Sequence, residues 1–246
     1  MTLPVIILSL EDAVERRAPL LKEFEVRGVP FEVWHAVDGR NGLAPEFEQM
    51  IDRDATRRNL GRPMGNAEYG CALSHHLIYR AIVERGLDAA VILEDDAIVD
   101  DQFFRVLAKI AVPSCDLILF DYGRALVSRN GRVKLSPGIF GYRCRSSPIL
   151  TTGYLVTQSG AKKLLEQSTP VAALADWPTD IAQLTTYVAT PRLVDHPDIE
   201  TTHSDIQQDR EKYDVPVPRQ PNDPKRFLKA TYWRKTYYKR LGKWVS

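Results

Sequence analysis

Residues 90–99 read AVILEDDAIV. The apolar run 89–93 has the length and composition of a strand buried on both faces, and it runs directly into Glu94, Asp95 and Asp96 before apolar residues resume. Acids at the end of a core strand are costly unless something compensates them. If the extended geometry persists, alternation sends Glu94 and Asp96 to one side and Asp95 to the other. At the carboxyl end of a central parallel strand, that pair faces the crevice in which open α/β sheets bind ligands. Carboxylates so close resist joint ionisation without a positive charge, and hard oxygen ligands suit Mg²⁺ or Mn²⁺. Such an ion would hold a diphosphate and stabilise charge on a departing phosphate. The plainer role, ending a strand and capping the next helix, falls to Asp100 or Asp101, ahead of a helix through Ile110. The triplet identifies a metal and leaves the reaction open.

The flanking sequence supplies the sheet around that strand. Residues 4–10 form another buried run, and Glu11-Asp12 opens a helix towards Gly28, with Pro19 delaying its start. Residues 31–37 alternate as a strand and 38–42 form a tight turn. Residues 45–66 read as a short helix plus loop, and a long helix runs from Asn66 or Ala67 to Arg85 before Gly86. Residues 116–120 are a further strand. This strand-helix alternation predicts a parallel sheet. Asn130-Gly131, between short alternating runs, predicts a hairpin, and with 139–144 and 149–157 it adds an antiparallel or mixed portion. Residues 159–167 read as a helix, and Pro178 at a first turn opens another reaching Tyr187. Beyond Pro191 a wrapping loop leads to the tail. The predicted class is α/β: a mostly parallel central sheet, a mixed carboxyl-terminal part and a basic helical tail.

The 246 residues suffice for one catalytic domain, set at 1–221, with a tail at 222–246. Hydrophobic content of 44% and charged content of 26% exclude a disordered or fibrous chain. Val5-Ile6-Ile7-Leu8 is too short to span a bilayer and no basic residue precedes it, so the expected location is cytoplasmic. Cys71, Cys115 and Cys144 are odd in number and lack metal-ligand spacing, as befits reduced thiols. The net charge of +1 conceals an asymmetry: eight of the 33 bases lie from Lys225 onward with no acid among them. Lys225, Lys229, Lys239 and Lys243 share a helical face away from Phe227, Tyr237, Tyr238, Leu241 and Trp244. Such a helix can lie peripherally on the inner membrane's anionic leaflet or pack back on the acidic body. With no nucleic-acid module in the chain, nucleic acid is not an expected partner.

A series of motifs extends the acidic triplet. Ile7-Leu8-Ser9-Leu10 with Arg16-Arg17, Ala36-Val37-Asp38-Gly39 after Phe31, Gly70-Cys71-Ala72-Leu73-Ser74-His75, Val91-Ile92-Leu93-Glu94-Asp95-Asp96, and Gly153-Tyr154-Leu155-Val156 with Gly160-Ala161-Lys162-Lys163-Leu164-Leu165 follow in order. Over residues 5–205 the chain resembles glycosyltransferase family 25, the lipooligosaccharide galactosyltransferase family, which also includes collagen galactosyltransferase domains. The resemblance implies a GT-A-like nucleotide-diphospho-sugar fold, a UDP-sugar donor (usually UDP-galactose), Mn²⁺ or Mg²⁺, and transfer with inversion to a lipid-linked or oligosaccharide acceptor. It places the family's acidic motif on Glu94, Asp95 and Asp96, and its proline-x-aspartate on Pro178 to Asp180. Asp180 is then the candidate base for the acceptor hydroxyl, with Asp176 the alternative.

Ser9, Arg17, Asp38 and Gly39 fall where a doubly wound sheet presents nucleotide contacts, and Asp95 belongs with them. Arg17 could equally pair with a surface acid. The motif also implies a substrate-side role for Ser74 and His75, although His75 shares a helical face with Cys71, Ile78 and Ile82 as a core histidine would. Gly153 and Tyr154 are candidates for the acceptor side. Glu94, Asp96 and His196 form the candidate metal set, with His203 also available; family members more often carry glutamine at the position of His196. Ser204 matches a family serine. Two other readings use the same features: a metal phosphoesterase, which releases phosphate without an acceptor sugar, and a non-enzymatic membrane-surface module, which binds vesicles through the tail and releases no UDP.

Overall fold

The computed structural model describes residues 3–197 and 242–246. β1 (Val5–Ser9), buried at every position, lies parallel to and between β2 (Glu32–His35) and β3 (Ala89–Glu94). The period of two in these runs divides the core into two faces. Val5, Ile7, Val91 and Leu93 pack under α1 (Val14–Val26) and α5 (Asp101–Leu107), meeting Leu20, Phe24, Phe103 and Phe104. Ile6, Leu8, Ala90 and Ile92 pack under α4 (Asn66–Glu84) and α6 (Gln158–Gln167), against Ile78, Ile82, Ala161 and Leu164. Each large aliphatic side chain buried this way contributes about 1.5–3 kcal/mol. The polar stretch before α4 folds as α2 (Pro45–Glu48) and α3 (Arg53–Leu60). α5 starts where the sequence sets its cap, the Asp100 carboxylate accepting from Phe103 N at 3.0 Å.

The remaining strands are β4 (Ile98–Val99), β5 (Leu117–Leu119), β6 (Ala125–Ser128), β7 (Val133–Ser136), β8 (Ile139–Arg143), β9 (Gly153–Thr157), β10 (Thr186–Thr190), β11 (Val194–Asp195) and β12 (Gly242–Val245). The large sheet has the order β2-β1-β3-β9-β5-β10-β8-β7. β9 and β8 run against their neighbours, and the other strands share one direction. The sheet is therefore mostly parallel, as predicted, but its mixed character begins in the centre. The crossover through α5 leaves a one-strand gap between β3 and β5, and β9 fills it in reverse.

Three sequence expectations give way. The runs beside Asn130-Gly131 are strands, yet they do not pair as a hairpin: β6 takes β12 as its partner, while β7 turns back onto β8 through Gly138 at φ 78°. Pro178 opens no helix. Asp180 Oδ1 accepts the amide of Ala182 at 3.2 Å, turns follow at Gln183 and Leu184, and by Thr186 the chain is committed to β10 between β5 and β8. Of the predicted basic helical tail, residues 222–241 lie outside the described residues, as do His203 and Ser204, and Gly242–Val245 is strand rather than helix. Lys243 and Trp244 there answer the ladder with β6, not a helical face. Among the described residues, no helix is long and apolar enough to cross a membrane.

Candidate active site

β3 ends at Glu94, and Asp95 and Asp96 form a turn closed by Ala97 N on Glu94 O at 3.0 Å. The alternation expected through Asp96 thus stops two residues early. All three acids nonetheless line one cleft, of about 770 Å³, at the carboxyl ends of β1 and β3. Its walls include Ser9, Arg16, Asp38, Gly39, Arg40, Cys71 and Ser74.

The three carboxylates have different work. Asp95 is buried and fully engaged: Arg16 grips Oδ1 at 2.8 Å and Oδ2 at 2.9 Å, and the Ser9 hydroxyl donates to Oδ2 at 2.7 Å. It fastens the β3 end to the loop after β1, a bidentate contact that fixes geometry as well as charge. Arg17, the sequence candidate, lines no part of the cleft. Its guanidinium braces the same loop through the carbonyls of Leu10 at 2.8 Å and Glu11 at 3.1 Å, while its neighbour, a helical step of about 100° away, enters the cleft.

Glu94 Oε1 accepts from the Thr151 hydroxyl at 2.6 Å and meets His75 Nε2 at 3.2 Å. Burial pushes the Glu94 carboxyl up, but the contacts with His75 and Thr151 outweigh it and the group lies below its ordinary value. His75 Nδ1 is 2.8 Å from the Tyr154 hydroxyl, itself 3.2 Å from that of Tyr79. A carboxylate only accepts, so the Glu94 contact calls for a proton on Nε2 of the imidazole. His75 and Tyr154 are thus buried supports of Glu94, behind the cleft rather than on its wall. Gly153 is a packing position as well: a Cβ there would lie 2.8 Å from the Val194 side chain.

Asp96 differs from both. Its Oδ1 is buried and has no hydrogen-bond partner. Burial first, then the charges of Glu94 and Asp95, push its carboxyl up to about 6. An orphaned oxygen among like charges is what a bound cation resolves, so the acids fit a hard divalent ion through Glu94 and Asp96. Cys71, His75 and Glu94 also offer ligand atoms within 4.8 Å of one another, a softer set that shares Glu94. His196 is not brought to the cleft: it follows β11, which pairs with β4, and its Nδ1 pairs with buried Asp121 at 2.7 Å. Sequence reasoning missed this pairing because its partners are 75 residues apart.

The far wall depends on two glycines. A Cβ on Gly39 would sit 1.9 Å from Asn66 O, and one on Gly70 would sit 2.5 Å from Val37 O. The loop after β2 thereby lies against the first turns of α4. Ser74 locks it there, accepting from Val37 N at 2.8 Å and donating to Gly70 O at 2.7 Å. Asp38 is held below its ordinary value by Arg40, which also reaches Asp12 at 2.7 Å. Of the remaining candidates, Asp176 accepts from Leu150 N at 3.1 Å and lines a second cavity, whereas Asp180 accepts from the Ser147 hydroxyl at 2.8 Å and lines neither.

Comparison with known proteins matches residues 2–182 to the family model described as glycosyltransferase family 25 (LPS biosynthesis protein). The chain is 32% identical over 175 residues to a glycosyltransferase 25 family member of Anopheles gambiae, an alignment covering 66% of this chain and 28% of that one. It is 26% identical over 175 residues to the lacto-N-neotetraose biosynthesis glycosyltransferase LgtE of Neisseria meningitidis, covering 65% of this chain and 59% of that one. It therefore spans less than two thirds of either relative. Among solved structures, galactosyltransferase LgtC in complex with donor and acceptor sugar analogs aligns over 97% of this chain and 95% of that one, at 13% identity and a TM-score of 0.40.

Proposed function

Since the chain belongs to glycosyltransferase family 25, we propose that it transfers a sugar, galactose in this reading, from a UDP-sugar to a saccharide acceptor in lipooligosaccharide or lipopolysaccharide assembly, with inversion at the anomeric carbon. The observation that carries the proposal is the unpartnered Asp96 Oδ1 beside Glu94 in the cleft at the carboxyl ends of β1 and β3. Glu94 and Asp96 would hold Mn²⁺ or Mg²⁺, which supplies positive charge to the diphosphate as its terminal oxygen departs. Asp95 keeps the two acids in register by tying their turn to Arg16 and Ser9. Arg16 and Arg40 add positive side chains to the same wall, and the loop 37–39 forms the side of the cleft suited to the nucleoside. Thr151 and His75 keep Glu94 ionised and aimed.

Thermal-shift and calorimetric titration of UDP-sugars with and without Mn²⁺ tests this reading. At a hundredfold excess over Kd, UDP-galactose with Mn²⁺ should stabilise the protein by about 2.7 kcal/mol, a rise of roughly 5–10 °C in Tm for a domain of this size. No metal-dependent binding of any UDP-sugar, or phosphate release with no acceptor present, would overturn it, the second outcome in favour of a phosphoesterase.

The division into a catalytic domain over 1–221 and a basic tail over 222–246 belongs to the same proposal, with the tail making peripheral contact with an anionic membrane that carries a lipid-linked acceptor. In support, Trp244 near the end of the tail is exposed with the body's Arg124 4.4 Å over its ring, an aromatic beside a cation, while Lys243 Nζ packs 3.7 Å over Tyr142 of the body. The protein should co-sediment with phosphatidylglycerol vesicles and be released as salt rises. Failure to bind at low salt removes the membrane contact and leaves the transfer reading intact.

A further inference from the structure

Cys71 and His75 stand about one turn apart on α4, and with Glu94 at the end of β3 they bring a thiol, an imidazole nitrogen and a carboxylate oxygen within 4.8 Å of one another. We propose that these three side chains form a site for a thiophilic divalent ion of the zinc class, that this site shares Glu94 with the hard-ion pair Glu94 and Asp96, and that filling it inhibits the protein by taking that carboxylate. The site rests on its ligand geometry; the inhibition rests on the transfer reading above.

Residues four apart on a helix project to the same side, and α4 is fixed here by Ser74, bonded to Val37 N at 2.8 Å and Gly70 O at 2.7 Å. His75 Nε2 and Glu94 Oε1 are 3.2 Å apart. Two ligands on a tetrahedral zinc-class ion, with bonds of about 2.0–2.1 Å, are separated by roughly 3.3 Å. Both groups are already oriented from behind. Thr151 donates to Glu94 Oε1 at 2.6 Å, and His75 Nδ1 lies 2.8 Å from the Tyr154 hydroxyl, which donates onward to Tyr79 at 3.2 Å. An ion on Nε2 displaces the proton there; the imidazole then carries its proton on Nδ1, and the Tyr154 oxygen accepts it. That outer hydrogen bond is the usual support of a metal-bound histidine.

Thiolate and imidazole suit Zn²⁺ rather than Mg²⁺ or Mn²⁺, and the affinity of such a set rises from Mn²⁺ through Co²⁺. Three protein ligands leave a fourth position. Cys71 and Glu94 line both the cleft and the second cavity, of about 490 Å³, so that position opens to solvent instead of closing as a structural zinc site does. Burial, then the charges of Glu94, Asp176, Asp96 and Asp95, push the Cys71 thiol well up, so it stays protonated until an ion expels the proton. With Glu94 drawn to the soft ion, Asp96 loses the neighbour with which it would hold Mn²⁺.

The test uses the full chain, stripped with chelator, and the metals alone. Titrated with Co²⁺ as a spectroscopic stand-in for Zn²⁺, the unaltered protein should develop a thiolate-to-cobalt charge-transfer band in the near ultraviolet. The band should saturate at one equivalent, with one proton released per ion, and Zn²⁺ should bleach it. Cys71→Ser should remove the band and weaken Zn²⁺ by about 10²-fold or more, because outer-shell partners alone are worth roughly 10- to 100-fold. Tyr154→Phe should keep the band and weaken Zn²⁺ within that smaller range. Zn²⁺ should release bound Mn²⁺, followed as the paramagnetic resonance signal of the free ion, and Mn²⁺-dependent UDP-sugar binding should fall with it. Absence of the band in the unaltered protein, or its persistence in Cys71→Ser, overturns the site whether or not a donor binds. Simultaneous, independent binding of Zn²⁺ and Mn²⁺ overturns the sharing of Glu94 and with it the inhibition. A thiolate band without metal-dependent donor binding leaves the site standing and strikes the transfer reading instead.

Discussion

Asp96→Asn is expected to abolish sugar transfer, lowering kcat/KM by about 10³ or more, the scale of removing a group that stabilises charge on the leaving oxygen, while the fold persists. The same substitution should make the metal-free protein more stable at neutral pH. Asp96 has its carboxyl raised from 3.8 to about 6 by burial and by Glu94 and Asp95, so the native state binds its proton more tightly than the unfolded chain does. Stability therefore falls as pH rises through the window from about 4 to 6, and the full cost, on the order of 3 kcal/mol, is present above it. The variant lacks this charge, so its advantage in urea denaturation should be largest near pH 7.5 and close as pH falls to 4. For the same reason Mn²⁺ affinity of the unaltered protein should rise as pH passes about 6, where Asp96 loses its proton. Transfer at the unaltered rate, or a stability difference independent of pH, would show that Asp96 is not the strained ligand of this site.

Much of the frame was legible because it is written in local periodicity. The run ending at Leu93 could only be a central strand, and the helix expected from Asn66 or Ala67 to Arg85 is α4 from Asn66 to Glu84. The failures share one physical origin. Asn130-Gly131 marks a turn, but which edges its flanking strands join depends on residues far along the chain, here β12 and β8. Pro178 suits a helix start, yet the ladder waiting at Thr186 claims the segment. At the site, the acids were evident from sequence, and their division of labour was not. Asp95 becomes a tether because Ser9 and Arg16, 86 and 79 residues away, reach its two oxygens. Nothing in the pair Arg16-Arg17 says which faces inward, since adjacent helical positions point in different directions. The engagement of Asp176 is likewise set by a contact across the chain, with Leu150 N 26 residues away.

The Gly39→Ala substitution should damage both stability and donor binding, for a reason independent of backbone dihedrals. The added Cβ would meet Asn66 O at 1.9 Å, Asn66 C at 2.4 Å and Ala67 N at 2.8 Å. These are backbone atoms at the start of α4, so no side chain can swing aside. Either the helix or the loop after β2 must move, and α4 carries Cys71, Ser74 and His75. We expect a loss of about 3 kcal/mol or more, the upper end of overpacking costs, with Tm falling by roughly 6–12 °C and UDP-sugar affinity down at least about tenfold as the cleft wall shifts. Gly42→Ala, three residues on, is the control. Its φ of 101° disfavours any side chain, but nothing lies within 4 Å of the new Cβ, so its cost should be about 1 kcal/mol of strain with donor affinity unchanged. Equal effects from the two variants would mean that conformational freedom, not the close approach of the loop to α4, is what glycine supplies to this wall.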